Sequence, residues 1–232
     1  MKIFGIISAM SVEIEHILNS MYIEKEMKIC GFPFYVGSIN SIRVILTTCS
    51  IGKVNAACCT QLLISNFNVD YIINTGIAGG LYSELKPKDI VISSDVTYFD
   101  VRKLQMKSCY PCQESFESSL ELVELAQKAC QEILGNENNH YKGRIATGDN
   151  FISTQEDKDK INNEFAPYCV EMEGGAIGHV AYLNKVPFVV IRCISDLADD
   201  EAETTYEEFE EIASIQSAKI TLKILDLYIN QK

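Results

Sequence analysis

Apolar residues run along this chain in short blocks that alternate with amphipathic segments. Lys2–Ala9 (K-I-F-G-I-I-S-A), Val69–Thr75, Asp89–Tyr98 and Val186–Ile191 are near-continuous apolar runs of strand length, the pattern of strands buried on both faces. Tyr141–Thr147 reads as another strand. Phe32–Ser38 and Arg43–Ser50 are β-rich runs separated by an Asn40-Ser41 turn. Between them lie segments of helical spacing. Val12–Met21 puts Ile14, Ile17, Leu18 and Met21 on one face, Gly52 opens a helix to about Asn66, and a helix-length run follows Glu173. Ser118-x-x-Glu121 has the capping-box spacing and starts a helix that stops near Gly135. Thr154-x-x-Asp157 and Thr205-x-x-Glu208 mark two more helix starts, the last running to about Tyr228 with Phe209, Ile212, Ile215 and Ile220 as its apolar positions. Strands alternating with helices predict an α/β fold, with a mainly parallel or mixed sheet between helix layers. No internal repeat, low-complexity tract or Pro/Gly-rich linker divides the chain, so a single domain over residues 1–232 is expected.

Composition narrows the class. A net charge of −12 argues against a nucleic-acid partner, whose phosphates demand a basic surface. No run reaches the roughly 18 consecutive apolar residues of a membrane span. The apolar start is followed at once by Glu13 and Glu15, unlike a signal peptide. Nine cysteines, an odd number scattered through apparent core segments, point to free thiols and a cytoplasmic protein. Cys109 and Cys112 have C-x-x-C spacing, but there is no second pair to complete a zinc site, and a polar loop stands where a redox motif needs a strand. They read as loop cysteines.

The chemistry concentrates where charged groups meet apolar runs. Glu171 and Glu173 flank Met172 just before a helix, and the last buried strand runs into Arg192, Ser195 and Asp196. Charges are costly to bury, and α/β proteins hold ligands at the carboxyl ends of strands. Glu13 follows the first strand, where it also suits a helix N-terminus. Thr75–Gly80 (T-G-I-A-G-G) closes another strand, as a turn or as a close approach of backbone to ligand. It is neither a dinucleotide nor a P-loop fingerprint. Phe151, in G-D-N-F-I, is placed to stack on a planar ring. Desolvation at the end of an apolar strand favours the protonated form of Asp196, a general-acid property.

Taken together, G-I-I-S-A-M-S-V-E (5–13), S-I-G-K-V-N-A-A (50–57), N-T-G-I-A-G-G-L (74–81), A-T-G-D-N-F-I (146–152), V-E-M-E-G-G-A-I (170–177) and P-F-V-V-I-R-C-I-S-D (187–196) resemble the 5′-methylthioadenosine/S-adenosylhomocysteine nucleosidases of the purine nucleoside phosphorylase/hydrolase superfamily. The resemblance implies a three-layer α-β-α sandwich around a mixed, largely parallel sheet, and a homodimer. It implies hydrolysis of the N-glycosidic bond of methylthioadenosine or adenosylhomocysteine, with 5′-deoxyadenosine a further substrate, from nucleoside and water alone, without metal or cofactor. By position it makes Glu13 the base that activates water and Asp196 the acid that protonates purine N-7. Glu173 becomes the acceptor of ribose hydroxyls, Met172 packs on the sugar, and Ala78 and Gly79 line its other side. Phe151 stacks on the base and Ile152 supplies backbone contacts to its edge. Arg192 and Glu171 stand near the catalytic water, with Met10, Ile51 and Ser195 among the substrate contacts. Four acids in one pocket repel one another, so Arg192 offsets part of the charge and one acid holds its proton. The alternatives are a nucleoside phosphorylase and a non-catalytic nucleoside-binding protein. A phosphate site needs cations, and no arginine precedes Arg43.

Two departures stand out. Ile77 occupies a position where that family usually has serine, which removes a polar contact near the sugar. Tyr98–Cys112 does not match the longer family loop that crosses to the partner subunit and lines the 5′-alkylthio pocket, which leaves the 5′ substituent open.

Overall fold

The computed structural model describes residues 2–135 and 138–230. The ends of the single domain expected over 1–232 lie outside the described residues. Ten strands and seven helices follow one another as β1 (Ile3–Ser8), α1 (Ser11–Leu18), β2 (Tyr22–Ile29), β3 (Phe32–Ile39), β4 (Ile42–Thr48), α2 (Lys53–Phe67), β5 (Tyr71–Gly80), β6 (Ile90–Tyr98), α3 (Lys103–Ser108), β7 (Ser115–Glu117), α4 (Leu120–Leu134), β8 (His140–Thr147), α5 (Gln155–Phe165), β9 (Cys169–Glu171), α6 (Gly174–Asn184), β10 (Phe188–Asp196) and α7 (Ala202–Asn230).

All the strands belong to one mixed sheet, ordered β10-β6-β8-β9-β5-β1-β4-β3-β2, with β7 on β6. Because β10 also pairs with β5, five strands close into a ring, from which β1, β4, β3 and β2 extend. β4, β1, β5 and β10 pair in parallel, β6 and β9 lie antiparallel to β10 and β5, and β2–β3–β4 is an antiparallel meander. Its second turn is Asn40-Ser41, both at positive φ (45° and 68°), the backbone that a two-residue hairpin needs.

Successive strand residues drop into different cores. Ile6, Ile73, Val189 and Ile191 pack with α1, α4 and α7, while Ile7, Ile72 and Val190 pack with α2 and α6. That alternation is the period of two by which a strand buries both faces, and it explains why these runs are apolar without interruption.

The structure corrects several boundaries. T-G-I-A-G-G is not a turn. Thr75–Gly80 continues β5, and Thr75–Gly79 pairs in parallel register with Ile191–Asp196, so β10 too extends past Ile191. Ser118 does not cap α4. The residue before that helix is Ser119, while Ser118 Oγ shares a hydrogen bond with Ser93 Oγ (2.5 Å). Thr154 does cap α5, accepting from the Asp157 N–H. Thr205 lies inside α7, its hydroxyl turned back to the Glu201 carbonyl (3.0 Å). The buried face of α7 is made chiefly of small residues, Ala213, Ser214, Ser217 and Ala218, then Ile220, Ile224 and Leu225, while Ile212 is exposed. Among the described residues no helix is long and apolar enough to cross a membrane.

Candidate active site

The carboxyl ends of β1, β5, β9 and β10 meet the N-terminal ends of α1, α6 and α7 around a cavity of about 380 Å³. All thirteen residues selected from sequence line it.

Glu13 reaches it by folding back over its own helix start. Its Oε2 accepts from the N–H groups of Ala9 (3.0 Å) and Met10 (2.9 Å) and from Ser8 Oγ (2.6 Å), while Oε1 accepts from the Ile77 N–H of β5 (3.1 Å). The side chain therefore satisfies the N–H of the N-cap residue of α1 and that of the residue before it, and is also a wall of the cavity. It is 2% exposed, so what it meets there is the cavity rather than bulk water.

Arg192, in mid-β10, is the largest fully buried side chain. Nη2 donates to Asn74 Oδ1 (2.8 Å) and pairs with Glu171, with Glu173 Oε2 at 3.5 Å, and Nη1 donates to the Ile77 carbonyl (3.4 Å). Burial works against its charge, but Glu171, Glu173 and Glu13 outweigh burial and raise its pKa. Gly76 makes this arrangement possible. It has no positive φ to adopt. A Cβ there would collide with both Arg192 Nη1 and Glu13 Oε1, so the missing side chain is space for the ion cluster.

Glu171 is set by the short strand β9, whose register puts it opposite Thr147 of β8. It accepts from Thr147 Oγ1, from Arg192, and from the N–H groups of Glu173 (2.9 Å) and Gly174 (2.6 Å). Its oxygens are occupied by the protein: Glu171 holds Arg192 and the start of α6 rather than offering a free acceptor. Glu173 is less committed, accepting only the Gly52 N–H (3.0 Å) beside the 3.5 Å approach of Arg192. Desolvation, reinforced by Glu171, pushes its pKa up to about 8 against the opposing pull of Arg192. Glu173 is thus pushed toward its protonated form.

Asp196 closes β10. The β5–β10 register shifts between Ile194 and Asp196, and this irregularity lets neighbouring residues Ser195 and Asp196 both face the cavity. Asp196 accepts from Ser195 Oγ (2.8 Å) and the Ala198 N–H (2.9 Å). Burial raises its pKa despite those two donors, the direction expected from sequence.

Apolar residues form the mouth. Phe151 is 46% exposed there, edge-on to Tyr206 with centroids 5.8 Å apart, and so is not a core aromatic. Ile51 is half-exposed, and Ile152 is buried beneath. Sequence reasoning missed Tyr206, Glu203 and Glu207, which α7 adds to the rim: α7 starts at Ala202 rather than near Thr205 and so takes in Glu203, while Tyr206 and Glu207 lay inside the expected helix with no motif to mark them. It also missed the neutral partners Ser8, Asn74 and Thr147, which carry no charge to mark them. No residue between 98 and 112 lines the cavity, and Cys109 and Cys112 are exposed in the turn after α3.

Comparisons with known proteins converge. Residues 3–226 match the phosphorylase superfamily. The 5′-methylthioadenosine/S-adenosylhomocysteine nucleosidase of Actinobacillus succinogenes is 40% identical, the match covering 97% of this chain and 98% of that one. The corresponding nucleosidase of Neisseria meningitidis, solved with methylthio-immucillin-A, superposes with a TM-score of 0.93 at 33% identity over 98% of this chain and 100% of that one. That of Colwellia psychrerythraea, solved with adenine, gives 0.92 at 37% over 97% and 95%.

Proposed function

We infer the reaction from the family: the chain belongs to the phosphorylase superfamily and, within it, to the 5′-methylthioadenosine/S-adenosylhomocysteine nucleosidases. It is an N-glycosyl hydrolase that converts 5′-methylthioadenosine or S-adenosylhomocysteine into adenine and a 5-substituted ribose. The observation that carries the assignment of roles is the pairing, in one cavity, of an acid on β10 whose pKa burial raises with a second acid at the start of α1.

In this reading Asp196 delivers its proton to purine N-7 as the bond from the sugar to the base breaks, and the bonding pair leaves with adenine. Positive charge builds on the ribose, as in glycoside hydrolysis. Water attacks the anomeric carbon and Glu13 takes its proton. Glu173 binds the ribose hydroxyls, acting as donor or acceptor according to its proton, with Met172, Ala78 and Gly79 around the sugar. Phe151 stacks on adenine, Ile152 meets its edge, and Met10, Ile51 and Ser195 complete the contacts. Glu171 acts through Arg192, which lies beside the water.

Phosphorolysis is disfavoured by the same geometry. Among the described residues lining the cavity Arg192 is the one cation, and its Nη2 is already shared between Asn74 and Glu171.

The same reading treats the chain as one domain, takes the two helix groups as the outer layers of an α-β-α sandwich, and places it in the cytoplasm, in keeping with nine free cysteines. It makes the protein a homodimer, for which exposed Val54, Leu104 and Tyr110 supply apolar surface. Adenine release should be measured across methylthioadenosine, adenosylhomocysteine, 5′-deoxyadenosine, adenosine and inosine. Turnover is expected with the 5′-thio-substituted adenosines. Inosine as the preferred substrate would refute the reading.

A further inference from the structure

Ser8 ends β1 and is fully buried. Its Oγ lies 2.6 Å from Glu13 Oε2 and 2.6 Å from the carbonyl oxygen of Thr75. A carbonyl only accepts, and so does an ionised carboxylate, whereas a serine hydroxyl has one proton to give. Ser8 therefore faces two acceptors and satisfies one at a time. The two oxygens of Glu13 are also unequal. Oε2 has three donors within reach, Ser8 Oγ and the N–H groups of Ala9 and Met10, while Oε1 has only the Ile77 N–H. Oε1 is the oxygen with room for a proton.

We propose that Ser8 is a positioning residue for the hydrolysis: its hydroxyl donates to Oε2 while Glu13 is a carboxylate and turns to the Thr75 carbonyl once Oε1 has taken the proton of water. This rests on Glu13 being the base. A hydrogen bond to a charged acceptor is stronger than one to a neutral carbonyl, so the ionised state draws Ser8 to Glu13. When an O–H bond of water breaks and the Oε1–H bond forms, the electron pair of that O–H goes with the water oxygen to the sugar. The charge on Oε2 is then gone and Thr75 competes for the hydroxyl. Ser8 keeps its own proton throughout, and a rotation about its C–O bond accomplishes the change. The consequence is that Ser8 favours the charged form of the base and extends activity toward lower pH.

Other charged and titratable groups surround Glu13: Glu15 and His16 on its own helix, Arg192 and Asp196 from β10, Glu171 and Glu173 around β9, Tyr206 from α7, and Cys49 after β4, whose thiol burial keeps protonated. All of them remain when Ser8 is changed, so a difference between variant and wild type isolates the hydroxyl.

The test is kcat/KM for methylthioadenosine against pH in wild type, Ser8→Ala, Ser8→Gly and Ser8→Thr. Both variants lacking the hydroxyl are expected to move the acidic limb upward by about half a pH unit or more. Their rate loss should be largest at low pH and fade above the limb, with KM there unchanged, while Ser8→Thr keeps the wild-type limb. An unmoved limb in the Ala and Gly variants would overturn the proposal, as would an equal shift in Ser8→Thr. If Ser8→Ala fails to fold, Ser8→Gly decides by whether its limb moves upward. Wild type that releases no adenine at any pH would instead remove the hydrolysis itself, and this role with it.

Discussion

Asp196 sits at the end of an apolar strand with Ser195 Oγ and the Ala198 N–H as its partners, and burial holds its proton more firmly than water does. An asparagine oxygen accepts from the same two donors but has no proton to deliver. Asp196→Asn is therefore expected to lower kcat by roughly 10²–10⁴-fold, the usual worth of one positioned proton transfer, while the unfolding midpoint stays at or above that of wild type. Glu13→Gln is expected to lose hydrolysis to a similar degree and still bind the nucleoside. Steady-state kinetics with ligand binding by calorimetry checks both, and wild-type rates in either variant would remove that residue from the mechanism. These acids were legible in sequence because a charge beside an apolar run stands out. Ser8, Asn74 and Thr147 were not, since a neutral polar residue inside a strand has no signature until the register places it against a carboxylate or a guanidinium.

The parallel register of β5 and β10 sets Arg192 opposite Gly76 and Asp196 opposite Gly79. At Gly79 an added Cβ would stand 2.9 Å from Asp196 Oδ1, and at Gly76 it would strike both Glu13 and Arg192. Gly76→Ala should displace the ion cluster, abolish turnover and destabilise the fold by about 1–3 kcal/mol, the range for overpacking a close-packed interior. Urea denaturation and adenine release measure the two effects, and a variant that keeps wild-type activity would show the close approach to be dispensable. The same pair of strands shows where sequence patterns fail. Glycines read as a turn because they lower strand propensity, yet here backbone pairing outweighs propensity. β2 was missed because its charged residues, Glu24, Lys25, Glu26 and Lys28, belong to an edge strand exposed along much of its length, so it shows little apolar alternation. The long α7 starts three residues earlier than expected, which takes in Glu203; Tyr206 and Glu207, already inside the expected helix, reach the mouth of the cavity without any motif to mark them.

Across the whole molecule the buried acids link stability to pH. Glu173 and Asp196 bind protons more tightly when folded than the values near 4 of unfolded carboxylic acids. Raised folded values contribute stability that is complete below pH 4 and is lost as pH rises through them, a window that for Glu173 extends to about 8. Glu173→Gln removes that proton, so its stability relative to wild type should grow steadily from pH 4 to pH 8. Thermal unfolding of both proteins across that range tests this, and parallel curves would contradict it. The α/β class and most of the strands and helices followed from the alternation of apolar runs, whereas closure of five strands into a ring did not, because pairing between β5 and β10 joins segments more than a hundred residues apart.

The most direct test of the central claim is adenine release from methylthioadenosine in phosphate-free buffer, with the sugar product identified, then repeated with phosphate added. Hydrolysis by Glu13 and Asp196 predicts full activity without phosphate, free 5-methylthioribose as the sugar, and no gain when phosphate is supplied. Activity that appears only with phosphate, yielding a sugar 1-phosphate, would contradict the account.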